Sequence, residues 1–184
     1  MRIIVTGGFG FIGSNLIKNL LKNENCQILN IDSLTYSSMP ESLRNISDNY
    51  LHKKIDICNH DLIKNAFIEF KPTAVMHLAA ESHVDNSIKS SRPFIDSNII
   101  GTYNLLDISN KYFNEGNTLR FLHVSTDEVF GSLNINDKPF NENSKYSPNS
   151  PYSASKASSD LLVNAWVKTY KFPAVITHCS NNYG

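Results

Sequence analysis

Apolar residues along this chain fall into short, largely β-branched runs separated by stretches with helical spacing. The first run, Ile3-Ile4-Val5, leads directly into a turn in which Gly7, Gly10 and Gly13 recur at every third position. Ile12, Leu16 and Leu20, with Ile17 and Leu21 beside them, then repeat at the period of a helix that buries one face. Ile28-Leu29-Asn30-Ile31 is a second run and ends in Asp32; residues 33–49 are polar, carry Pro40, and read as a loop with a short helical piece. Residues 52–57 are expected as the third strand, with Asp56-Ile57 at its end. Leu62, Ala66 and Phe70 place a helix over 61–70, which Pro72 stops. Residues 74–78 form the fourth strand candidate, and Ala79-Ala80 follow. Pro93 suits a first helical turn, and Ile95, Ile99, Tyr103 and Leu106 predict one long helix over 94–113. Residues 120–124 read as a fifth strand, 132–151 as a long loop rich in Asn, Ser and Pro, 152–170 as a helix, and 174–177 as a sixth strand. Within this pattern His77 reads as a satisfied core histidine and Asn98 as an exposed polar position on the long helix.

Strand and helix alternate throughout, which predicts an α/β fold: a doubly wound parallel sheet with helices on both faces. In such sheets ligands bind beyond the carboxyl ends of the strands. The glycine turn, Asp32, Asp56, Ala79-Ala80, Thr126 to Glu128 and Asn181-Asn182 all follow a predicted strand. With 184 residues there is room for one domain with a substantial core. The 17 basic and 17 acidic residues balance, so no charged surface points to nucleic acid or to a membrane. No apolar stretch has the length of a membrane span. Cys26, Cys58 and Cys179 are odd in number and widely spaced, which suits reduced thiols and a cytoplasmic location. No metal-ligand spacing is present.

The glycine turn between strand and helix is where backbone N–H groups and the helix dipole can hold a pyrophosphate. Asp32 lies 19 residues past Gly13. An acidic side chain there can accept hydrogen bonds from ribose hydroxyls and would repel a 2′-phosphate, which favours NAD over NADP; a turn cap is the plainer role. Tyr152 and Lys156 stand four apart and share one helix face. A lysine charge there is expected to lower the phenol pKa and fit the tyrosine for proton transfer near neutral pH. By itself this spacing is common on ordinary helices.

With these residues in hand the chain resembles the extended short-chain dehydrogenases/reductases, through Thr6 to Gly13, Asp56-Ile57, Leu78-Ala79-Ala80, Thr126, Tyr152 and Lys156. More narrowly it resembles the dTDP-glucose 4,6-dehydratase family. The residues that carry this are Leu78 to Asp85, Ser125-Thr126-Asp127-Glu128-Val129-Phe130-Gly131 and Ser180-Asn181-Asn182-Tyr183-Gly184. Phe130 stands where that family more often has tyrosine. The resemblance implies a Rossmann-like domain, NAD as cofactor, and conversion of dTDP-glucose to its 4-keto-6-deoxy form. It makes Tyr152 the base at the 4-hydroxyl, Lys156 the cofactor-ribose contact and Thr126 a hydrogen-bond partner of the same hydroxyl. Glu128 becomes the base at carbon 5 and Asp127 the acid for the departing 6-hydroxyl. It places Gly7, Gly10, Phe11, Ile12, Gly13, Asp32, Ser33, Leu34, Thr35, Asp56, Ile57, Leu78, Ala79, Ala80, Ser97, Tyr152, Lys156 and Asn181 at NAD. Ser82, Thr126 and Asn182 would face the sugar nucleotide. The helices over 94–113 and 152–170 would pair in a homodimer.

Family members continue past the asparagine pair into a smaller domain that grips the nucleotide. Residues 1–184 are therefore expected to be the NAD-binding domain that carries the catalytic residues, with the substrate domain expected after 184 not present. Two other readings stay open: an NAD-binding module without catalysis, and another nucleotide-sugar dehydratase or epimerase of the same superfamily. The Asp127-Glu128 pair speaks against an epimerase.

Overall fold

The computed structural model describes residues 1–183. Six parallel strands form one sheet in the order β3-β2-β1-β4-β5-β6. They are β1 (Arg2–Thr6), β2 (Gln27–Asp32), β3 (Tyr50–Lys54), β4 (Ala74–His77), β5 (Arg120–Thr126) and β6 (Ala174–Cys179). Strand order reverses between β1 and β4, whose registers pair Thr6 with Ile31 on one side and with His77 on the other. A crevice must open there, because the connections leave the two halves in opposite directions.

Helix α1 (Phe11–Leu20) covers one face, where Ile3, Val5, Ile17 and Ile28 are buried together. Helices α2 (His60–Phe70), α5 (Thr102–Asn114) and α6 (Pro151–Tyr170) cover the other, over Ile4, Leu29, Ile31, Val75 and Phe121. Successive strand residues point to opposite faces, and here both faces are apolar, as a doubly covered parallel sheet requires. The doubly wound α/β expectation is met.

Three local expectations are corrected. β3 ends at Lys54, so Asp56-Ile57 lie beyond the strand. The Ile55 N–H makes the last ladder bond to Asp32 O at 3.1 Å, and the Asp56 carboxylate then turns the chain by accepting from Cys58 N at 2.8 Å. A short helix, α3 (Val84–Lys89), occupies part of the polar stretch before Pro93. The long helix is real but composite: α4 (Arg92–Phe94) runs through a π-helical stretch (Ile95–Gly101) into α5. Widened helical turns of this kind often mark functional sites. This one turns Asn98 inward, so the residue expected on the surface is 1% exposed. His77 is the satisfied core histidine expected of it, with Nδ1 2.8 Å from Thr6 Oγ1 and Nε2 2.9 Å from Thr102 Oγ1.

Candidate active site

The strand ends open onto a cleft of about 660 Å³. At its centre the chain leaves β1 through Gly7, which has φ +72°. A Cβ there would lie 2.7 Å from the Ala79 backbone, so only glycine lets the turn lie against the end of β4. A Cβ on Gly13 would collide with Gly7 O and lie 2.7 Å from Gly8 Cα, so this position sets how closely α1 approaches the turn. Gly10 caps α1 without a side-chain acceptor. The first N–H groups of the helix are thus left for an anion, with the positive end of the dipole behind them.

Asp32, at the end of β2, is nearly buried. Its carboxylate accepts from Phe9 N (3.0 Å), Leu34 N (2.9 Å) and Ser38 Oγ (2.9 Å). It therefore braces the glycine turn and the 33–38 loop and also lines the cleft. The two roles considered for it are compatible, since a carboxylate has about four acceptor positions.

On the far side, β5 ends in Thr126, whose hydroxyl accepts from Glu128 N at 3.2 Å and caps a 3-10 turn (Asp127–Phe130). Helix α6 begins with a capping box, Ser150 with Ser153, and with Pro151 in its first turn. This start fixes the helix so that Tyr152 and Lys156 point at the end of β5. Lys156 is buried, and its ammonium donates to Val124 O at 2.8 Å.

Electrostatics overturn one expectation. The Tyr152 phenol is pushed up to about 12, not down: burial is the largest cause and Glu128 adds to it, against a hydrogen bond with Thr126. Lys156 does not offset this. Its own burial drives it down to about 8, opposed by Asp160, and its hydrogen bond goes to a carbonyl. The Glu128 carboxyl is raised, by burial and then by the neighbouring Asp127 charge.

The cleft wall gathers nearly every residue the sequence singled out: Gly7, Gly10, Phe11, Ile12, Gly13, Asp32, Ser33, Thr35, Asp56, Ile57, Leu78, Ala79, Ala80, Ser82, Ser97, Thr126, Glu128, Tyr152, Lys156, Asn181 and Asn182. Two stand off it. Leu34, at φ +59°, packs into the core beneath α1 and offers its N–H to Asp32. Asp127 turns toward Thr126, with 3.4 Å between Thr126 Oγ1 and Asp127 Oδ1. Gly184 lies outside the described residues. Among those residues no cluster of His, Cys, Asp and Glu could hold a metal.

Two positions escaped the sequence reading. The Asn98 carboxamide accepts from Glu81 N (2.8 Å) and donates to Glu81 O (2.9 Å) and Ser155 Oγ (2.8 Å), so it ties the loop after β4 to α6. Asp160, fully buried, continues the Tyr152–Lys156 face by one more turn. The four-residue spacing from Lys156 was the available signal for it.

A family model described as GDP-mannose 4,6 dehydratase matches residues 4–184. A dTDP-glucose 4,6-dehydratase of Haemophilus influenzae is 49% identical over 191 residues, with 100% of this chain and 56% of that protein covered. Two solved structures are similar over the whole chain. One is the dTDP-glucose 4,6-dehydratase of Bacillus anthracis in complex with NAD, with TM-score 0.89, 42% identity and 56% of that chain covered. The other is the enzyme of that name from Streptomyces venezuelae, also with NAD, with TM-score 0.92, 38% identity and 57% covered. The chain thus spans a little over half the length of the relatives it matches. The sheet order, the glycine turn and the match over nearly every residue agree: the chain belongs to the GDP-mannose 4,6 dehydratase family.

Proposed function

We propose that this chain carries the NAD site and the catalytic side chains of a nucleotide-sugar 4,6-dehydratase acting on dTDP-glucose. The observation that supports this most is convergence. One sheet edge brings the glycine turn, Asp32, Thr126, Glu128, Tyr152 and Lys156 to a single cleft. The turn fits a dinucleotide because glycine at 7 and 13, where a Cβ would run into the protein's own backbone, lets β4, the turn and the start of α1 pack closely and present the first helix N–H groups to the cleft. The pyrophosphate would lie at the start of α1, the adenosine ribose at Asp32, and the nicotinamide ribose at Tyr152 and Lys156. NAD, when bound, accepts a hydride and later returns it, so the sugar is dehydrated without net oxidation.

Tyr152 takes the proton from the 4-hydroxyl, which Thr126 orients. A phenol this buried is a strong base once ionised and a poor acid before that. The hydrogen bond with Thr126 is the influence that favours its ionised form, and Lys156, an ammonium below about pH 8, is left for the nicotinamide ribose. The ketone formed at carbon 4 acidifies carbon 5, and Glu128 removes that proton and gives it back to carbon 5 when the hydride returns to carbon 6. Burial makes its carboxylate more basic than a surface glutamate, which suits a general base, and Asp127 in this step is the neutral, protonated partner. Asp127 protonates the departing 6-hydroxyl after its side chain rotates from Thr126 into the cleft. Adjacent carboxyls can divide acid and base work when their surroundings differ, as the inward Glu128 and outward Asp127 do.

A homodimer through the helices of 94–113 and 152–170 is part of the same proposal. Ile95, Tyr103, Leu161 and Tyr170 on these helices are exposed apolar side chains that a partner would cover. A further domain that grips the nucleotide, beyond the span matched in the relatives, is part of it too. The test is to incubate the chain with NAD and dTDP-glucose and weigh the sugar nucleotide. Loss of one water that is abolished in Glu128→Gln supports a dehydratase. NAD binding with no such loss would leave a cofactor-binding module.

A further inference from the structure

Below the cleft floor lies a buried polar cluster that the proposed chemistry does not use. Asp160 is 0% exposed and sits one turn beyond Lys156 and two beyond Tyr152 on α6. Ser125 Oγ donates to Asp160 Oδ2 at 2.8 Å, and His178 Nε2 lies 3.0 Å from the same oxygen. His123 Nε2 is 3.2 Å from Oδ1. Ser125 immediately precedes Thr126 at the end of β5, and His178 precedes Cys179 and the asparagine pair at the end of β6. One carboxylate therefore ties α6 to the two strand ends that carry the catalytic turn and the Asn181-Asn182 segment.

The same group is an electrostatic partner of Lys156. Burial drives His123 down to about 4, with the Lys156 charge second, so its ring is neutral at neutral pH. Its Nε2 lies 3.3 Å from Ser159 Oγ as well as beside Asp160 Oδ1, and both Asp160 Oδ1 and His123 Nδ1 are buried without a hydrogen-bond partner. Burial alone would raise the Asp160 carboxyl. The neighbouring His123 ring, the hydrogen bond from Ser125 and the charge of Lys156 outweigh it and hold the group below the ordinary aspartate value. In return, Asp160 is the main influence that opposes the burial of Lys156, ahead of Cys179. The other titratable groups around the pair are Tyr152 on α6, Tyr146 on the preceding loop, and His77 on β4, which feels the Lys156 charge.

We infer that Asp160 is a positioning residue: a buried counter-charge that keeps Lys156 an ammonium, and a tether that holds Thr126 and Asn181-Asn182 at the cleft. The inference rests on the NAD reading above. NAD affinity of the intact chain is measured from pH 6 to 10 for wild type, Asp160→Asn and Ser125→Ala. Wild type loses affinity with a midpoint near 8, where Lys156 discharges. Asp160→Asn, folded by circular dichroism, moves that midpoint down by about one pH unit or more. Ser125→Ala weakens binding and leaves the midpoint in place. An unmoved midpoint in folded Asp160→Asn overturns the counter-charge, and unchanged affinity in Ser125→Ala overturns the tether. Absence of NAD binding by wild type refutes the cofactor reading itself. Should Asp160→Asn not fold, or NAD not bind, the Lys156 titration in wild type is followed by NMR of ¹³Cε-labelled lysine. A midpoint near 8 supports the counter-charge, and one below about 6 shows burial unopposed and overturns it.

Discussion

Gly13→Ala sets two opposite effects against each other, and the structure says which wins. Alanine is the better helix former by about 1 kcal/mol, and Gly13 lies inside α1. The new Cβ, however, would meet Gly7 O and come within 2.7 Å of Gly8 Cα, both backbone atoms of the tight turn. Backbone cannot rotate away as a side chain can, so the cost falls at the upper end of overpacking, about 3 kcal/mol. The net expectation is a loss of about 2 kcal/mol, which for a chain of this size lowers Tm by roughly 4–8 °C. Gly10→Ala is the control. Its backbone, φ −73° and ψ 170°, suits any residue, and a Cβ there would meet only Gly7 O, at 3.3 Å. Its stability should stay within about 1 kcal/mol of wild type. Urea denaturation followed by circular dichroism measures both. Equal stability of Gly13→Ala and wild type would refute the claim that backbone proximity requires glycine at this position.

Two further predictions follow from single groups. Asp32→Asn keeps the shape but turns an N–H toward one of the three donors the carboxylate now accepts, Phe9 N, Leu34 N and Ser38 Oγ; denaturation should show a loss of about 2 kcal/mol, and an unchanged midpoint would mean the turn does not depend on it. Lys156 has a folded-state pKa near 8, below its ordinary 10.5, so above pH 8 the folded chain sheds a proton that the unfolded chain keeps. Its contribution to stability therefore rises from pH 8 to 10.5, by about 3 kcal/mol at most. The difference between wild type and Lys156→Met isolates this, because the Cys58 thiol and Tyr152 phenol, both raised to about 12, act in both chains and in the opposite sense. A difference that stays flat over this range would contradict the burial of a charged Lys156.

The sequence made the architecture legible because the sheet is buried on both faces. Ile3-Ile4-Val5 and Ile28–Ile31 are nearly continuous apolar runs, and such runs leave little choice of element. β3 was misplaced because it is an edge strand. Leu51 is 57% exposed and Lys53 turns to Glu69 on α2, so its residues carry no apolar pattern, while Ile55 and Ile57 just beyond it are buried. Helix α3 lies outside the sequence reading because it buries neither of its two apolar residues: Ile88 faces solvent and Val84 is only partly covered. Spacing along α6 found Tyr152 and Lys156 but could not report their depth, and depth set the direction of both pKa shifts. Asn98 needed the π-helical stretch to reach the interior, and no local periodicity announces that change.

The claim on which the rest depends is that the strand-end cleft holds NAD and selects it over NADP. Calorimetric titration of the purified chain with each dinucleotide tests this directly. The expected result is one NAD per chain and NADP weaker by about tenfold or more, since a 2′-phosphate beside the Asp32 carboxylate would be repelled. No heat with NAD, or equal affinity for the two, would contradict the assignment.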